Sequence, residues 1–138
     1  MDGQQLVFFG HSLGSAIAVE AATGNSTHAV VLEAPITSIR AMAKRAFPLL
    51  PGAGALVRAR YDTLAKTKGI NAPLMVLHGD RDETVPWDMG RELFEAADPP
   101  KRFYTAEGAG HSDIYVVGGR AYYDELARFL ADPTRDRG

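Results

Sequence analysis

With 138 residues, a formal charge of -2 and 46% hydrophobic content, the chain has the length and apolar fraction of one globular domain, and its charge balance gives no reason to expect nucleic acid. It holds no cysteine, which excludes a disulfide framework and a thiolate nucleophile, and its apolar runs are too short to span a bilayer. Met1-Asp2-Gly3 lacks the basic and apolar regions of a signal peptide, so a cytoplasmic location without membrane contact is expected.

Leu6 to Phe9 is a short, continuous apolar run, the pattern of a strand covered on both faces in a parallel sheet. It breaks into Gly10-His11-Ser12-Leu13-Gly14, and small helix formers from Leu13 to Thr23 follow, ended by Gly24-Asn25. A serine at the apex of a tight strand-to-helix turn adopts strained backbone angles, so glycines at both 10 and 14 are expected to be required sterically. The helix N-terminus then aims free N–H groups, the Leu13 amide first, at any oxyanion formed beside Ser12.

Ala29 to Glu33 predicts a second strand, and the helix between implies a parallel neighbour. Glu33-Ala34-Pro35 closes it. Ser38 is placed to cap a helix running to about Phe47, Pro48 and Pro51 break it, and a further helix is expected to start near Ala55. The 38–68 segment reads as a small helical insertion covering the substrate. There Arg40, Lys44, Arg45, Arg58, Arg60, Lys66 and Lys68 face Asp62 alone, a local charge of +6. A solvated helical surface is the simplest account of it.

Leu74 to Leu77 predicts the third strand, with His78-Gly79-Asp80-Arg81-Asp82 as the loop at its C-terminal edge, where open α/β sheets carry their chemistry. His78 reads as a buried, hydrogen-bonded loop residue and Asp80 as structural, capping the loop or pairing with Arg81. A calcium loop starting at Asp80 fails, because its sixth position is Val85 and its twelfth is Arg91. Trp87 to Ala97 has the apolar spacing of an amphipathic helix, stopped by Asp98-Pro99-Pro100. Arg102 to Thr105 predicts a fourth strand, Glu107 to His111 a loop, Tyr122 to Ala131 a closing helix, and Asp132 onward a disordered polar tail.

Gly10-His11-Ser12-Leu13-Gly14 resembles the nucleophile elbow of the α/β-hydrolase superfamily, and the likeness continues through Leu32-Glu33-Ala34-Pro35, His78 to Pro86 and Gly108 to His111 in the superfamily's order. It is nearest to serine esterases and prolyl-oligopeptidase-like members. The resemblance implies a single α/β domain over 1–138, about four parallel strands flanked by helices, and a Ser12, Asp82, His111 triad acting on acyl esters or related carbonyl substrates. The superfamily's acid stands just before Val-Pro, and Val85-Pro86 selects Asp82 over Asp80. Asp80-Arg-Asp82-Glu-Thr84 also fits the pattern of haloacid-dehalogenase-like phosphatases, but there the aspartate follows its strand directly, and here His78-Gly79 intervenes.

In the superfamily the elbow lies mid-domain, whereas Ser12 stands almost at the start, so the resemblance covers only the superfamily's C-terminal half. The strand at Leu6 to Phe9 is then an apolar edge, expected to recruit a second copy or a complementing chain. The loop that donates the second oxyanion hydrogen bond is missing with that half, so weakened catalysis is expected, the alternative being a non-catalytic fragment or assembly module with a relict triad. No metal or organic cofactor is implied.

Overall fold

The apolar runs of the sequence become four parallel strands, β1 (Val7–His11), β2 (Ala29–Glu33), β3 (Leu74–Gly79) and β4 (Lys101–Ala106), lying in that order across one sheet. The computed structural model describes residues 5–46, 48–49 and 62–135. Every residue of β2 and β3 is buried, as inner strands of a parallel sheet must be when both faces are covered. Outer strand β4 is only partly buried, apart from Ala106. In register, His11 stands beside Glu33, and Gly79 beside Ala106, so the C-terminal ends form one rim.

Among the described residues five helices surround the sheet: α1 (Gly14–Thr23), α2 (Ile39–Ala46), α3 (Thr63–Thr67), α4 (Trp87–Ala96) and α5 (Ile114–Ala131). Side chains alternate across a strand, so each strand feeds two cores. On one face Ala18, Val19 and Ala22 of α1 and Leu93 of α4 bury Val30, Leu32, Leu74 and Val76, with Leu64 of α3 at their margin. On the other, Ile114, Tyr122 and Phe129 of α5 bury Val31, Met75 and Leu77. A sheet that grows in one direction through crossovers of one hand puts all its connecting helices on one face. The helix after the last strand is thereby left to cover the other.

Several boundaries differ from expectation. Strand β1 lies one residue later and runs through the elbow glycine to His11. Helix α5 starts at Ile114 rather than Tyr122. It kinks at Gly119, with φ 53° and ψ -136°, and then resumes. Ser38 does cap α2, accepting from the Ala41 amide at 2.9 Å. The helix expected near Ala55 lies outside the described residues. The short α3 begins instead after Asp62, whose carboxylate accepts from Ala65 N–H at 3.1 Å. Of the expected tail, residues 132–135 make a turn against β4, where the Arg102 guanidinium donates to the Arg135 carbonyl at 2.8 Å. No helix among the described residues is long and apolar enough to cross a membrane.

Candidate active site

Strand β1 delivers Ser12 to the rim in the left-handed region, at φ 54°, a conformation that costs a non-glycine residue about 1 kcal/mol or more. The turn holds because its backbone is tied on both sides. Ser12 N–H donates to the Glu33 carbonyl at 2.9 Å, and the buried Ser15 hydroxyl donates to the Ser12 carbonyl at 2.5 Å. Ser15 in turn accepts from Ile36 N–H at 3.2 Å, which links the elbow to the loop after β2. The two elbow glycines are not equivalent, contrary to expectation. A Cβ on Gly10 would lie 2.4 Å from the Gly14 carbonyl oxygen and 2.8 Å from Ala18 Cβ, whereas one on Gly14 meets nothing within 4 Å. Crowding arises only on the strand side, where α1 folds back over β1. Leu13 is the N-cap of α1, and the first amides behind it, those of Ser15 and Ala16, donate to the carbonyls of Ser12 at 3.0 Å and Leu13 at 3.2 Å.

Asp82 lies in the loop after β3 and is buried, with both carboxylate oxygens in use. Oδ1 accepts from the amides of Thr84 at 2.9 Å and Val85 at 2.8 Å, and Oδ2 accepts from His111 Nδ1 at 2.8 Å. Asp80 is structural, accepting from Gly108 N–H at 2.7 Å, and Arg81 N–H donates to the Ala109 carbonyl at 3.0 Å. These two bonds fasten the loop carrying Asp82 to the loop carrying His111. Because an ionised carboxylate only accepts, Nδ1 of His111 bears the hydrogen and a neutral ring leaves Nε2 bare. Among the described residues no hydrogen bond joins the Ser12 hydroxyl to that ring; such contacts commonly tighten only when substrate binds. The imidazole of His11, next to Ser12 in sequence, stands 5.0 Å from that of His111, centroid to centroid.

His78 is fully buried, as expected, but it lies within β3 rather than in the loop after it. Its Nε2 lies 2.9 Å from the Val85 carbonyl and 3.4 Å from Asp82 Oδ2. Nδ1 has no partner and fills the space beside Gly90, where a Cβ would fall 2.2 Å away. Burial pushes the His78 imidazole below its ordinary value, against the opposing pull of the Val85 carbonyl and Asp82. The unfolded chain therefore takes up a proton near pH of about 6.5 that the folded chain resists, so this group's stabilisation is present above that pH and lost below it. Lowering the pH from about 7 to about 5 is expected to cost up to about 2 kcal/mol more in the wild type than in His78→Gln, read from urea unfolding. Equal acid sensitivity of the two would refute the assignment.

Glu33 is the residue that sequence reasoning passed over, taken only as the end of a strand. It is buried, and it accepts from His11 Nδ1 at 2.9 Å and from the Tyr122 hydroxyl at 2.5 Å. Burial, reinforced by that carboxylate, pushes the Tyr122 phenol well above its usual range. The available signal was a lone carboxylate closing an otherwise apolar inner strand. Among the described residues no cluster of three or more His, Cys, Asp or Glu side chains is arranged to hold a metal ion.

The model of the prolyl oligopeptidase family matches residues 1–135. The chain belongs to this family. This family member is 33% identical over 132 residues to an uncharacterised protein of Mycobacterium tuberculosis, an alignment that spans 96% of this chain and 47% of that protein. It is 28% identical over 128 residues to human alpha/beta hydrolase domain-containing protein 17B, across 93% of this chain and 42% of the human one. The chain thus spans about half the length of the curated relatives it matches. An esterase of Pyrococcus furiosus superposes with a TM-score of 0.75 at 19% identity, covering 95% of this chain and 55% of that one. The fold is that of the α/β hydrolases, as the sequence resemblance implied.

Proposed function

We propose that this family member is a serine hydrolase of esterase type, acting on acyl esters or related carbonyl substrates through Ser12, His111 and Asp82. The observation that carries this reading is the Asp82–His111 hydrogen bond of 2.8 Å at the rim to which β1 brings Ser12 at positive φ. A serine hydroxyl is a poor nucleophile until an oriented imidazole takes its proton. Asp82 holds Nδ1–H of His111, so Nε2 is the base that receives the Ser12 proton and later returns it to the leaving group. The Leu13 N–H supplies one oxyanion donor from the open end of α1. In such chemistry the loss of one oxyanion donor costs on the order of 10² to 10³-fold in turnover.

A fluorophosphonate probe followed by peptide mapping tests the assignment. Modification of Ser12 supports it; no modification, or modification elsewhere, overturns it and favours a non-catalytic assembly module. The partner reading that accompanies it is edge-to-edge pairing of β1 with a second copy or complementing chain, supported by Leu6 and Phe9, which are half exposed. Light scattering that finds only monomer at micromolar concentration would count against the second copy.

A further inference from the structure

Two carboxylate–imidazole pairs stand side by side at the rim. His111 is held through Nδ1 by Asp82 at 2.8 Å, and His11 is held through Nδ1 by Glu33 at 2.9 Å. The second pair is built as firmly as the first. Glu33 is buried at the end of β2, and its other oxygen accepts from the buried Tyr122 hydroxyl at 2.5 Å, so the carboxylate is anchored from α5 and is not free to swing away. As with His111, a carboxylate on Nδ1 leaves Nε2 of a neutral ring without hydrogen, and hence an acceptor. His11 is only partly buried, so this acceptor is within reach of solvent and ligand.

We propose that Glu33 positions His11 as a hydrogen-bond acceptor for a hydroxyl carried by the substrate's leaving alcohol. This rests on the hydrolase reading above. In that chemistry His111 hands a proton to the departing oxygen, so the leaving group must lie against its ring, and the His11 ring stands 5.0 Å from it. A plain alkyl alcohol would leave the His11 acceptor desolvated and unpaired, whereas a hydroxyl-bearing alcohol satisfies it. Glu33 is thus a positioning residue, and His11 contributes to substrate choice.

The test compares 3-hydroxypropyl and propyl esters of the same short acyl chain. The wild type is expected to favour the hydroxylated ester by about tenfold in kcat/KM, and His11→Phe to abolish that ratio whatever loss the two esters share. Nitrogen NMR of the wild type is expected to show His11 with hydrogen on Nδ1, and Glu33→Gln to give mixed tautomers, a change that a purely structural role for Glu33 would not produce. A ratio that survives in His11→Phe, or hydrogen on Nε2 in the wild type, overturns the proposal. Failure of the hydrolase reading has a different signature: Ser12 escapes the fluorophosphonate while His11 still carries its hydrogen on Nδ1, and the substrate role falls with it.

Discussion

Asp82→Asn is expected to lower ester turnover on the order of 10⁴-fold while leaving the chain folded. The asparagine carbonyl can still accept from the amides of Thr84 and Val85, as Oδ1 of the carboxylate does at 2.9 and 2.8 Å, so the loop keeps its shape. The amide nitrogen then replaces Oδ2 opposite His111 Nδ1 and donates where the carboxylate accepted. The ring must accept there and move its hydrogen to Nε2, where it blocks the serine proton. Ser12→Ala sets the floor of the same assay, with a loss on the order of 10⁶-fold. Asp80→Asn serves as the internal comparison, since Asp80 only accepts from Gly108 N–H. Steady-state turnover of a p-nitrophenyl ester decides the matter. An Asp82→Asn enzyme within about tenfold of wild type would remove Asp82 from the mechanism.

Gly10→Ala is expected to be the most damaging small change to stability, at about 3 kcal/mol. Its added methyl would stand 2.4 Å from a backbone oxygen and 2.8 Å from Ala18 Cβ, and neither can move without pulling α1 off β1. Gly14→Ala, four residues on, has open space and sits in a helix, so it is expected to be neutral or to gain up to about 0.5 kcal/mol. Thermal melting separates the pair, with a drop of about 10 °C expected for Gly10→Ala and none for Gly14→Ala. Melting points that move together would mean that the elbow does not depend on the close approach of α1 to β1.

Where apolar runs were long and unbroken, the sequence announced its architecture plainly. Val30 to Leu32 and Leu74 to Leu77 have no polar residue to suggest a solvated face, and both became fully buried inner strands. Ser38, a helix cap by chemistry alone, performed as read. Helix α5 was legible only after its kink at Gly119; its first turn is held by Ile114, which is buried in the core beneath it. Pairings across the rim were legible to different degrees. Asp82 and His111 could be nominated because their neighbours resemble known motifs. The Glu33 bonds to His11 and Tyr122 span 22 and 89 residues of sequence, and no local pattern encodes a contact made by strand register and helix docking. Gly14 was misjudged because a motif records which residue stands at a position, whereas steric need depends on what lies opposite.

The proposed nucleophile and its base reach the rim from different neighbourhoods of the sheet. Ser12 rides on β1, whose only partner in the described sheet is β2, whereas His111 follows β4 and is fastened to the loop after β3. Outermost strands open at lower free energy than the interior of a sheet. Strand β4 is the other outermost strand, so fraying of either would part Ser12 from His111, and fraying of β1 would also withdraw Phe8 and Val7 from the two cores.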